Sequence, residues 1–192
     1  MNLVPLVSTF AVVALAELGD KTQIVAISLS AKHSPLSVFL GAILGFLVVD
    51  GLSVVVGDAL ANVLPIRWIA LISGLVFIIF GVYTLFSKEE REIKFKERSF
   101  SLATSFSLVT LMELGDKTQF AVIALAADFS SPTLVFIGMM LAFLVVTGIG
   151  IFFGAKFLKR LPMKYVKKAT AALFIFFGII FIASSLTGIS IL

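Results

Sequence analysis

ELGDKTQ stands at residues 17–23, and ELGDKTQ stands again at residues 113–119. Each copy sets two carboxylates and a lysine inside a long apolar run. A charged residue at the centre of a bilayer costs about 2.5–3.5 kcal/mol on insertion scales. Packing could be served by any small or apolar side chain. A chain that places the same charges at depth twice, in identical words, is expected to handle an ion there.

The duplication extends outward from the motif. With an offset of 97, Pro35 matches Pro132, Gly41 matches Gly138 and Gly51 matches Gly148. Gly57 then matches Gly154, Pro65 matches Pro162 and Gly81 matches Gly178. The motifs themselves align at 96, so one extra residue lies between Gln119 and Pro132. The chain reads as a tandem repeat of one unit. Residues 1–87 form the first repeat, 88–98 a charged linker and 99–192 the second repeat.

Composition names the solvent. Sixty per cent of the 192 residues are hydrophobic, 20 of them Phe, and the mean hydropathy is +1.16. Six apolar spans are expected, near 4–30, 36–61, 66–87, 99–127, 133–156 and 163–187. Each is long enough to cross a bilayer as a helix, which takes roughly 20 residues. The apolar runs are continuous rather than alternating, which argues against a β-barrel. The predicted fold class is an all-α membrane protein of six transmembrane helices.

Three spans per repeat is an odd number, so the second repeat enters from the opposite side. That predicts two inverted three-helix repeats, an arrangement common in secondary transporters. Charge bias gives an independent reading. Of the 15 Lys and Arg, Lys32, the five in 88–98 and the six in 156–168 fall on one side under this topology. Arg67 alone falls on the other, while Lys21 and Lys117 lie inside the motifs. The positive-inside rule makes the basic side cytoplasmic and puts both termini outside. The basic residues are thereby accounted for by orientation and contact with membrane lipids, and no nucleic-acid partner is expected. No glycine-rich phosphate loop is present, which disfavours ATP-driven pumping, and no cofactor is expected.

On a regular helix Glu17, Asp20 and Lys21 share one face, as do Glu113, Asp116 and Lys117. A Glu-to-Lys pair at i, i+4 would then offset part of the charge, with Lys21 and Lys117 as counter-ions. Gly19 and Gly115 allow either close helix approach or a local break. Thr22 and Thr118 join the site only if the helix unwinds. Gln23 and Gln119 lie near the Asp face as auxiliary oxygen ligands. Inverted repeats bring the two motif helices together at the midplane, where Glu17, Asp20, Glu113 and Asp116 would converge. Four carboxylates and two lysines carry a formal −2, matching one divalent cation. Crowded carboxylates resist simultaneous ionisation, so protons and cation would compete for the same oxygens. Asp50, mid-span and matched by Thr147 in the other repeat, is a candidate relay for the exchanged proton.

Oxygen ligands suit Mg²⁺, Ca²⁺ and Mn²⁺. There is no Cys, and the single His33 lies in a predicted turn, so zinc and copper(I) sites are disfavoured. The motif pair resembles the E-x-G-D-K/R-T/S pair of the Gdt-type cation exchangers, six-span proteins of two repeats related to the lysine-exporter superfamily. The resemblance covers nearly the whole chain. It implies exchange of Mn²⁺ or Ca²⁺ for H⁺, with Glu17, Asp20, Glu113 and Asp116 as cation-binding residues. Short loops are similar to those of a prokaryotic member, which implies a manganese exporter of the bacterial inner membrane. The rival readings are a passive divalent-cation channel, a carrier of another solute, and an intramembrane enzyme. An enzyme would need a phosphate-binding Arg or a nucleophile–base pair beside the acids.

Overall fold

The computed structural model describes residues 2–31, 33–86, 102–160 and 163–187. The charged linker 88–98 and Lys32 lie outside the described residues. Eight helices follow in chain order: α1 (Val4–Glu17), α2 (Lys21–Ser30), α3 (Pro35–Val63), α4 (Ile66–Phe86), α5 (Leu102–Glu113), α6 (Lys117–Phe129), α7 (Pro132–Arg160) and α8 (Met163–Thr187). Among the described residues, α3, α4, Pro132–Phe153 of α7 and Lys164–Thr187 of α8 are long and apolar enough to cross a membrane. The expected continuous spans 4–30 and 99–127 are corrected. Each is two shorter helices separated at the motif glycine.

Local chemistry sets the helix ends. Ser34 caps α3 by accepting from the Ser37 N–H, and Pro35 occupies its first turn. Leu64 is extended because it precedes Pro65, which separates α3 from α4. Both faces of α3 are apolar: Ala42, Phe46 and Val49 are buried while Leu40, Leu44 and Val55 are exposed. A helix apolar all round belongs in a core or in lipid.

Small residues set how the helices pair. A Cβ on Gly41 would meet Ser105, and one on Gly45 would meet Val109, so α3 runs parallel to α5. Further along, Gly57 closes on Ile123 and Ala126 of α6. The other repeat does the same: Gly138 of α7 closes on Leu6 of α1, and Gly150 on Gln23 and Ile27 of α2. Gly74 and Gly81 of α4 face Gly178–Ile182 and Ala171–Ile175 of α8, an antiparallel pair. Phe46 stacks on Phe143 at 3.9 Å between ring centroids, and Phe77 meets Phe174 edge-on at 5.4 Å. Both are pairs of repeat mates.

Candidate cation site

The two ELGDKTQ copies break their helices in the same way. Gly19 has φ +75° and Gly115 has φ +79°, a left-handed conformation that glycine adopts without penalty. α1 and α5 end at Glu17 and Glu113, and Asp20 and Asp116 are the N-cap residues of α2 and α6. The Asp20 N–H returns to the Glu17 carbonyl at 3.1 Å, and the Asp116 N–H to the Glu113 carbonyl at 3.0 Å. Each break is braced by its own glutamine. Gln23 Oε1 accepts from the Gly19 N–H at 2.6 Å, and Gln119 Oε1 from the Gly115 N–H at 2.8 Å. Those side-chain oxygens, expected as auxiliary ligands, are therefore engaged in holding the turn. Gln23 Nε2 also donates to the Val146 carbonyl, tying α2 to α7.

Breaking the helix redirects every charge in the motif. The expected Glu-to-Lys pair within one helix turn is not formed. Lys21 instead reaches across to Asp116 at 2.7 Å, and Lys117 reaches across to Asp20. Lys117 also lies 3.5 Å from Asp116 Oδ2. The shorter ion pair of each lysine thus runs between repeats. Thr118 joins the site as unwinding requires: its hydroxyl donates to Glu17 Oε1 at 2.6 Å. Its mate Thr22 is fully buried; its hydroxyl acts on Glu113, the matching arrangement in the other half, without closing a hydrogen bond as Thr118 does.

Carboxylate oxygens of Glu17, Asp20 and Asp116 come within 4.8 Å of one another, a spacing that can hold a metal ion. Glu113 stands outside this trio. It is fully buried, and neither of its oxygens has a hydrogen-bond partner. Asp50 is also fully buried with both oxygens unpartnered. The charges of Glu17, Asp116 and Glu113 act on it, so it adjoins the motif acids. The register explains this: Gly45 packs on Val109, and one turn further Asp50 is level with Glu113.

The N-termini of α2 and α6 and the C-termini of α1 and α5 all point into this region. Their partial charges offer both anion- and cation-stabilising ends, as at the discontinuous helices of transporters. One contributor was absent from the sequence reading. Thr170 of α8 donates to the Leu15 carbonyl at 2.7 Å, satisfying a backbone group near the α1 break. Its repeat mate is Ser73, so a hydroxyl recurring at the same place in both repeats was the available signal.

The family model described as "Divalent cation/proton antiporter GDT1" matches residues 5–92 and again residues 101–188, once per repeat. A Vibrio cholerae protein named "Putative manganese exporter" is 29% identical over 169 residues, covering 85% of this chain and 82% of that protein. The Saccharomyces cerevisiae "Divalent cation/proton antiporter GDT1" is 24% identical over 230 residues, covering 91% of this chain and 82% of that protein. A GDT1-like protein of Schizosaccharomyces pombe is 35% identical over 80 residues, covering 42% of this chain but 30% of that longer protein. No solved structure matches. With the family model matched along both repeats, the chain belongs to the GDT1 family of divalent cation/proton antiporters.

Proposed function

We propose that this chain exports a divalent cation, Mn²⁺ or Ca²⁺, in exchange for protons across a bacterial inner membrane. The observation that carries the reading is the approach of Glu17, Asp20 and Asp116 at two matched helix breaks inside an apolar bundle. Hard divalent ions bind carboxylate oxygens at about 2.0–2.6 Å, and three carboxylates supply several such oxygens. Glu113 completes the set of motif acids, and the Thr118 hydroxyl orients Glu17. Asp50 holds or relays the exchanged proton, being, among the described residues, the one buried acid without a mate in the other repeat. Names of the relatives from Vibrio cholerae and Saccharomyces cerevisiae support manganese and proton exchange.

The transporting unit is six spans in two inverted repeats, 1–87 and 99–192, with 88–98 between them and both termini outside. In this reading α1 with α2, and α5 with α6, each make one interrupted span. Two features support the inversion. α4 lies antiparallel to its own repeat mate α8, and the contacts Phe46–Phe143 and Phe77–Phe174 join repeat mates directly. A residue touches its own mate only beside a two-fold axis.

The test is reconstitution. Purified protein in liposomes containing a Mn²⁺-sensitive dye should move Mn²⁺ faster with an opposing pH gradient than without one. Glu17→Gln, Asp20→Asn, Glu113→Gln and Asp116→Asn should each abolish or strongly reduce that flux in protein that still inserts. Asp50→Asn should keep Mn²⁺ binding and lose dependence on the gradient. Flux indifferent to the gradient in the unaltered protein would indicate a channel and sink the exchanger reading.

A further inference from the structure

Resting on the cation reading above, the lysines have a sharper task than charge balance. Lys117 sits between two carboxylates, bonded to Asp20 Oδ1 and 3.5 Å from Asp116 Oδ2. A divalent ion bound by both aspartates at about 2.0–2.6 Å from each oxygen must stand in this same gap. An ammonium group and a metal ion cannot share it. We propose that Lys117 is a tethered competitor of the transported cation: its ammonium fills the position between Asp20 and Asp116, and the ion enters by displacing it.

Three further observations fit this role. Asp20 Oδ2 is buried and has no hydrogen-bond partner, so Asp20 keeps an oxygen ready for an incoming ion; Asp116 Oδ2 is held only by the longer Lys117 contact. Glu17 has an oxygen within the same 4.8 Å group yet pairs with the Thr118 hydroxyl and with neither lysine. The lysines are also unequal. Lys21 is 30% exposed and touches Asp116 alone, whereas Lys117 is 14% exposed and faces both aspartates. Lys21 thus lies at the more open side of the acids, and Lys117 is the one in the ion's place. A lysine is suited to this, being a compact charge on a flexible four-carbon stem. The gain for an exporter is release. A site must bind well enough to load and weakly enough to unload. A tethered ammonium that returns to the aspartates as the ion leaves lowers affinity without removing any ligand.

The experiment reads a sign. Mn²⁺ affinity is measured by titration calorimetry on the purified full chain in lipid nanodiscs at mildly alkaline pH, where protons compete least. Lys117→Met should bind Mn²⁺ at least tenfold more tightly than the unaltered protein and transport it more slowly. Lys117→Arg should bind more weakly than Lys117→Met, because a cation still occupies the gap. Lys21→Met should tighten binding less than Lys117→Met. Losing one partner of a buried ion pair is a folding hazard. If Lys117→Met is not recovered folded, Lys117→Gln serves, and it too should bind more tightly. Unchanged or weaker Mn²⁺ binding in the folded variant overturns the proposal and returns Lys117 to a structural counter-ion. Absence of both Mn²⁺ and Ca²⁺ binding in the unaltered protein would instead remove the cation reading on which this rests.

Discussion

Gly115→Ala isolates the helix break from every other property of the motif. Gly115 has φ +79°, and a Cβ built there meets nothing within 4 Å. The substitution therefore adds no clash and removes no side-chain contact. What it adds is the cost of a left-handed conformation for an L-residue, about 1–2 kcal/mol. That shifts the balance between broken and continuous helix by roughly 5–30-fold. A continuous helix would return the Gly115 N–H to a backbone carbonyl, release Gln119 and carry Asp116 and Lys117 away from Lys21 and Asp20. Proton-driven Mn²⁺ flux in proteoliposomes should fall by a comparable factor, with the variant still monodisperse in detergent. Gly115→Asn is the control, since asparagine tolerates the left-handed region better than alanine does. It should retain more flux than Gly115→Ala. Undiminished flux in Gly115→Ala, or equal loss in both, would refute the claim that the break itself is what the site needs.

Thr118→Val removes a buried hydrogen bond to a carboxylate, an interaction worth about 1.5–3 kcal/mol. Mn²⁺ affinity should fall by roughly 10–150-fold, whereas Thr22→Val, which loses no closed hydrogen bond, should fall less; equal losses in the two titrations would contradict the observed inequality. The chain has no Cys, so introduced cysteines report sidedness without background. Labelling from the cytoplasm is expected at Ser34→Cys and from outside at Asn2→Cys, Asn62→Cys and Ser130→Cys, and labelling of Ser34→Cys and Asn62→Cys from one side would end the inverted-repeat reading.

Much of the fold was legible because duplication is visible in letters. The repeated ELGDKTQ and the matched Pro and Gly positions located the helices, and α3, α4 and α8 fall where apolar runs were expected. The interior of the motif was harder. Gly19 and Gly115 were compatible with close packing or with a break, and no local rule separates the two. The deciding contact is Gln23 Oε1 on the Gly19 N–H, which exists only once the chain has turned. The i, i+4 rule predicted a Glu17–Lys21 pair because it assumes an unbroken helix. The break at Gly19 separates the two, so Lys21 finds Asp116 in the other repeat, 95 residues away. Asp50 could be flagged as the acid without a mate, but its place beside the motif acids depends on how deeply Gly41 and Gly45 let α3 sink against α5.

Two identical motifs do not make two identical halves. Among the described residues, α6 packs against α3, α4 and α1, while its mate α2 packs mainly on α7 and makes no comparable contact with α8. The side chains supply a cause. Phe120 on α6 stacks with Phe80 of α4 at 5.9 Å. The equivalent position on α2 is Ile24, and the mate of Phe80 is Phe177, whose ring neighbours are Phe77, Phe176 and Phe181. An aromatic pair adds about 0.5–1.5 kcal/mol beyond the area it buries. The half-helix carrying Lys117 is therefore the more firmly held, and it is Lys117, not Lys21, that lies between both aspartates. The inequality of the two lysines thus goes together with a packing difference between repeats at Phe120 and Ile24.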